Sequence, residues 1–180
     1  MTTQEMKVAF EQAYGRKAEK VFFSPGRVNL IGEHTDYNGG CVFPCALSFG
    51  AWLLLAKNAD KVLRFRSMNM LQVYEITIDA IQPQPDRAWC NYALGCIEII
   101  GRRHPEAKLE SGNDLLYYGN VPAGACLSSS AAMEVVTARA FTEEMGMNGL
   151  GDDKKYRTEL ALIGQACEHE YAGVMCGIMD

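Results

Sequence analysis

Two stretches of this 180-residue chain gather residue types that can do chemistry at close quarters. The first is Ser24-Pro-Gly-Arg-Val-Asn-Leu-Ile-Gly-Glu-His-Thr-Asp-Tyr-Asn-Gly-Gly40, which packs Arg27, Glu33, His34, Asp36 and Asn38 into one polar run. Every hydroxyl of a polyhydroxy ligand needs an acceptor or a donor once it leaves water, and carboxylates beside an imidazole supply both. A solvated loop is the alternative. It leaves unexplained the arginine and the Asn-Leu-Ile-Gly core threaded through the run. The second stretch is Val121-Pro-Ala-Gly-Ala-Cys-Leu-Ser-Ser-Ser-Ala-Ala132, lying between a strand-like and a helix-like segment. Small residues let a backbone approach an anion, and the helix start offers unpaired N–H groups and a positive dipole end. Ser128, Ser129 and Ser130 add hydroxyls that can reach phosphate oxygens or Mg²⁺. The same residues also describe an ordinary serine cap on an alanine-rich helix, and the loop alone leaves both readings open. It lacks the G-x-x-x-x-G-K-[ST] pattern of a Walker A loop.

The elements that must position these stretches can be read from periodicity. Met6, Ala9, Phe10, Ala13 and Tyr14 recur at helical spacing, so residues 3–15 are expected to form an amphipathic helix closed by Gly15. Short β-branched or aromatic runs predict strands at 21–24, 42–47, 51–56, 62–67, 73–78 and 115–118. The alternation in Leu63-Arg64-Phe65-Arg66 and Tyr74-Glu75-Ile76-Thr77-Ile78 suits half-buried antiparallel strands. Helices are expected over 86–102, 128–145 and 153–171. Strands first and helices later, with hairpin-sized gaps, indicate an α+β fold with a mostly antiparallel or mixed sheet.

Composition narrows the function classes. Hydrophobic residues make up 48% and charged residues 22%, which excludes a disordered or low-complexity chain. The net charge of −5 and the short basic pairs argue against a nucleic-acid or anionic-lipid partner. No apolar run approaches a membrane span, and residues 1–10 have no signal-peptide pattern. Seven cysteines without a C-x-x-C pair, and only three histidines, read as mostly buried free thiols in a reducing cytoplasm rather than as zinc ligands or a disulfide framework. One domain is expected from the length.

At PGRVNLIGEHTDYNGG the sequence resembles the galactokinase signature, and VPAGACLSSSAA resembles the phosphate loop of the wider galactokinase, homoserine kinase, mevalonate kinase and phosphomevalonate kinase superfamily. A third run, Glu168-His-Glu-Tyr-Ala-Gly-Val-Met-Cys-Gly-Ile-Met-Asp180, is similar to the galactokinase segment that ends at its catalytic aspartate. The three motifs stand in the family's order. The resemblance implies ATP-dependent phosphorylation of the C1 hydroxyl of galactose to galactose 1-phosphate, the first committed step of galactose catabolism. It implies Asp180 as the catalytic carboxylate with Arg27 beside it. Glu33, His34 and Asp36 would hold sugar hydroxyls, with Gly177 contributing backbone. Gly124, Ala125, Cys126, Leu127, Ser128, Ser129 and Ser130 would grip the ATP phosphates, and Trp89 and Tyr92 would lie near the base. Ser130 and Glu168 would bind Mg²⁺. An aromatic pair at i, i+3 on an amphipathic helix is also ordinary core.

Two departures accompany the resemblance. Cys126 stands where the family generally has glycine. If that position needs φ > 0, cysteine costs about 1–2 kcal/mol; a locally reshaped loop is the alternative. Galactokinases are also considerably longer and carry a later glycine-rich motif that does not occur here. Residues 1–180 are therefore read as the N-terminal lobe of a two-lobed kinase whose C-terminal domain is absent, expected to be inactive alone. The sugar signature spans 24–40, the phosphate loop 121–132 and the catalytic segment 168–180. Alternatives are a kinase for N-acetylgalactosamine or arabinose, or a catalytically silent relative that senses sugar and ATP.

Overall fold

Thr2 and Glu5 start the first element: the Thr2 hydroxyl caps the Glu5 N–H while the Glu5 carboxylate reaches back to the Thr2 N–H, a reciprocal capping box. Helix α1, Thr3–Tyr14, ends at Gly15, whose φ of 69° is the left-handed turn that glycine adopts without steric cost. The computed structural model describes residues 1–85, 88–121, 127–147 and 154–179. Strands β1 (Lys20–Asn29), β2 (Pro44–Asn58), β3 (Val62–Ser67), β4 (Tyr74–Thr77) and β5 (Gly112–Gly119) form one sheet in the order β1-β2-β5-β3-β4. All neighbours are antiparallel except β3 and β5, whose crossover carries helix α2, Asn91–Arg103. Helices α3 (Ser129–Glu144) and α4 (Lys154–Cys167) complete the fold. The architecture is α+β with a mixed sheet.

Period-two alternation builds two cores on one sheet. Leu53 and Leu55 of β2, with Leu63, Phe65, Leu115 and Tyr117, face α2, α3 and α4. Leu54 and Ala56, with Leu116, face the other way and meet Met6 and Phe10 of α1. At about 25 cal/mol per Å² of apolar surface, each fully buried leucine or phenylalanine contributes roughly 2–3 kcal/mol.

Several expected boundaries shift. The runs 42–47 and 51–56 are one strand, because Gly50 lets it pass β1: a Cβ there would collide with the Ser24 carbonyl and the Phe23 ring. The run at 21–24 extends to Asn29, so the polar signature begins inside a strand rather than after one. Helix α2 starts at Asn91 instead of 86, leaving Trp89 in the turn before it. The expected helix 153–171 changes winding, with α4 stopping at Cys167 and a π-helical turn, Glu168–Ala172, carrying the chain on. Single π turns inside helices concentrate at functional sites. The cysteines are only partly as expected: Cys90, Cys96 and Cys167 are buried, whereas Cys41 and Cys45 are exposed. Among the described residues no helix is long and apolar enough to cross a membrane.

Candidate active site

A bulge aims the first functional side chain. The β1–β2 register slips between Pro25 and Arg27, and such an irregularity bends a strand and re-aims its side chains. Here it docks β1 on the end of the 121–132 loop. The Arg27 N–H donates to the Leu127 carbonyl at 3.2 Å, and a Cβ on Gly26 would stand 2.8 Å from that same oxygen. The signature then folds on itself. Thr35 Oγ1 donates to the Gly32 and Cys41 carbonyls at 2.6 and 2.8 Å, and Asn38 Nδ2 donates to the His34 carbonyl at 2.7 Å. These bonds close a tight loop and place Asp36 at the start of the 3₁₀ turn Asp36–Asn38.

The chain returns to that loop from the far end. After the π turn, Gly173 ends the helix with φ 71° and residues 174–179 run back as a strap. Gln165 Nε2 donates to the Cys176 carbonyl at 3.1 Å, and His169 Nε2 lies 3.0 Å from that carbonyl and 3.2 Å from the Cys176 nitrogen. Arg27 Nε donates to the Met179 carbonyl at 3.0 Å, and the Met179 N–H donates to Asp36 Oδ2 at 3.2 Å. Gly177 packs so closely on Asp36 that a Cβ would overlap its carboxylate.

Two cavities flank the N-terminus of α3. One, of about 250 Å³, is lined by Arg27, Ser128, Glu134, Glu168, Gly177 and Met179. The other, of about 550 Å³, is lined by Trp89, Tyr92, Tyr117, Tyr118, Ser129 and Ser130. Ser128 holds the left-handed φ of 56° as the N-cap of α3, yet its side chain makes no capping bond. The ordinary-cap reading of the serine run therefore fails for Ser128. Among the described residues nothing caps the first N–H groups of the helix, the arrangement in which helix starts receive anions. Trp89 is packed among aromatic rings and also reaches the larger cavity. Its ring meets Phe65, Tyr74 and Tyr117 edge-on, its Nε1 donates to the Gln72 carbonyl at 3.2 Å, and it also lines the larger cavity.

The sequence motifs are thus unequally assembled. Arg27, Ser128, Glu168 and Gly177 share one cavity; Ser129, Ser130, Trp89 and Tyr92 share its neighbour, so Ser130 and Glu168 line different cavities. Asp36 joins the first group through Met179. Glu33 and His34 are exposed on the signature loop, with the His34 ring against Tyr37. Gly124, Ala125, Cys126 and Asp180 lie outside the described residues.

Glu134 is the residue that sequence reasoning missed. It is 1% exposed on α3, its Oε1 has no hydrogen-bond partner, and it lines the cavity with Glu168. Burial pushes its carboxyl up to about 10, with Cys167 and Glu168 adding to the rise. One available signal was its place four residues after Ser130, the spacing that stacks side chains on one helical face. A buried, unpartnered carboxylate oxygen beside a second buried carboxylate is a fitting donor set for a hard divalent cation. No group of three His, Cys, Asp or Glu side chains suited to a metal occurs among the described residues.

Comparison with known proteins gives the family and the fold. Residues 8–57 match the galactokinase galactose-binding signature, and residues 91–180 match the GHMP kinases N-terminal domain. The galactokinase of Exiguobacterium sibiricum is 42% identical over 100% of this chain and 45% of its own length. That of Lactiplantibacillus plantarum is 41% identical over 100% of the chain and 45% of its length. The structure of Lactococcus lactis galactokinase complexed with galactose superposes with a TM-score of 0.85 at 35% identity, covering 98% of this chain and 44% of that one. The Methanococcus jannaschii mevalonate kinase, at 17% identity and a TM-score of 0.72, covers 91% of this chain and 51% of its own, and shares the fold. The chain spans less than half the length of the curated relatives it matches.

Proposed function

The chain belongs to the galactokinase family, and from that premise we propose that it is the N-terminal, sugar- and phosphate-binding lobe of an enzyme that transfers the γ-phosphoryl group of ATP to the C1 hydroxyl of galactose. The observation that carries the reading is the single cavity joining Arg27, the Gly177–Met179 strap, Glu168 and the uncapped start of α3.

In this reading Asp36, Glu33 and His34 receive the sugar hydroxyls and the Gly177 backbone closes the pocket. Asp180, next in the chain after the clamped Met179, accepts or orients the proton of the C1 hydroxyl. Arg27 favours the charge that develops on the sugar oxygen and the transferring phosphoryl group. The N–H groups of α3 and the 124–130 segment take the phosphates, and the larger aromatic cavity takes the base. Mg²⁺ would be held by Glu168 with a serine hydroxyl of the 128–130 run, of which Ser128 lines the same cavity, and would supply neutralisation of phosphate charge. Cysteines without disulfide bonds at all six described positions fit a reducing cytoplasm.

The test is a coupled ADP-release assay on a full-length enzyme carrying this chain, with galactose, N-acetylgalactosamine and arabinose offered separately. Turnover is expected with galactose. Preference for either other sugar would replace the substrate, and tight sugar binding without ATP consumption would make the protein a silent sensor.

A further inference from the structure

Asp36 is shared between two tasks by its two oxygens. Oδ2 accepts the Met179 N–H at 3.2 Å, while Arg27 Nε holds the Met179 carbonyl at 3.0 Å. Both backbone polar groups of the residue before Asp180 are therefore fixed by side chains of the 24–40 segment. The approach is not incidental, because the carboxylate occupies the space that a Cβ at residue 177 would fill. Only glycine leaves that room. Oδ1, the second oxygen, is buried with no hydrogen-bond partner. A buried carboxylate oxygen of this kind calls for a donor, and a hydroxyl is a donor of the right size.

We propose that Asp36 is a positioning residue as well as a sugar ligand: Oδ1 takes a sugar hydroxyl while Oδ2 holds Met179, so that binding the sugar fixes the strap that leads into Asp180. The inference rests on the roles proposed above for Asp36 and Asp180, and deepens them. A carboxylate hydrogen-bonded through one oxygen can still pivot about that bond. A second donor on the other oxygen stops the pivot and, through Met179, the drift of the next residue. Catalytic groups displaced by ~1 Å can lose ~10²-fold in rate. A residue that only bound sugar would change galactose KM and leave the strap alone.

The experiment combines hydrogen exchange over residues 173–179, without ligand, and steady-state kinetics. It uses a full-length enzyme carrying this chain and its Asp36→Ala, Asp36→Asn, Gly177→Ala and His34→Ala variants. Asp36→Ala is expected to speed exchange of the strap by on the order of tenfold or more, as loss of a hydrogen bond to a charged group implies. Its kcat should fall roughly a hundredfold. Asp36→Asn keeps an oxygen for the Met179 N–H, so exchange should stay within about threefold of wild type and kcat should regain most of what Asp36→Ala loses, while galactose KM rises. Gly177→Ala, which leaves Asp36 chemically intact but pushes its carboxylate away, should speed exchange like Asp36→Ala and stands in for it should that variant not fold. His34→Ala should raise galactose KM without altering exchange. Wild-type exchange in both Asp36→Ala and Gly177→Ala would overturn the clamp. Protected exchange with an unrescued kcat in Asp36→Asn would overturn its link to catalysis. Asp180→Asn is run alongside: full turnover there would sink the catalytic reading, while the exchange arm would still report on the clamp.

Discussion

Glu134 should make the protein less stable as the pH rises, and Glu134→Gln should remove that dependence. The carboxyl is pushed up to about 10 in the folded protein, chiefly by burial, from an ordinary value of 4.5. A raised folded-state value means that the folded protein keeps its proton where the unfolded chain has lost it. Stability from this group is therefore complete below pH ~4.5 and declines as the pH climbs towards the folded value, by about 1.4 kcal/mol per unit. By pH 7 the loss is about 3 kcal/mol, a large part of the 5–15 kcal/mol typical of a domain. Glutamine has nearly the same shape and no charge. It can leave its own amide without a partner, a pH-independent cost of about 1–3 kcal/mol, so the diagnostic is the slope and not the offset. Urea unfolding of both proteins in EDTA at pH 5 and pH 7.5 is the assay. The difference, variant minus wild type, should move in favour of Glu134→Gln by about 2–3 kcal/mol between the two pH values. A difference that stays constant would mean that Glu134 ionises normally, and that its unpartnered oxygen finds water or a cation side chain in solution.

Three further outcomes are expected of the site. Asp180→Asn in a full-length enzyme should lose ~10²–10⁴-fold in turnover, the usual worth of acid–base help, with galactose binding by calorimetry nearly unchanged; near-full turnover would remove it from the mechanism. Cys126 should be protected from iodoacetamide by MgATP, whereas the exposed Cys41 and Cys45 should label at the same rate with or without nucleotide. Protection of those two instead would move the phosphate site away from the 121–132 loop. Residues 1–180 expressed alone should show no galactose phosphorylation and should self-associate, because Leu30, Ile31, Phe43 and Met175 are 60–82% exposed; a monomeric, cooperatively melting chain that phosphorylates galactose would refute this.

Legibility in the sequence divides along one physical line. Local patterns were readable: the helical period of residues 3–15, its close at Gly15 and the period of α3 are each set by neighbours in sequence. The signature and the serine run were readable because their residue types have few other uses so close together. Properties that depend on a partner far along the chain were not. The join of 42–47 to 51–56 rests on Gly50 meeting Ser24 and Phe23 across the sheet, and no local periodicity records that approach. The parallel pairing of β3 with β5 requires the crossover through α2, which a succession of short strands does not reveal. The change of winding at Glu168 lies within a sequence that reads as continuous helix. Ser130 and Glu168 come from different motifs, and their placement in adjoining cavities reflects how α3 packs on α4. Glu134 shows the same division within one residue. Its helical position was visible, but a glutamate in a helix is usually a solvated one. Only the approach of α4, where a Cβ on Gly164 would stand 3.6 Å from the Glu134 carboxylate, turns it into a buried acid sharing a cavity with Glu168. The chemistry of this lobe is thus written locally as residue types, and acquires its charge states and its geometry from contacts made across the fold.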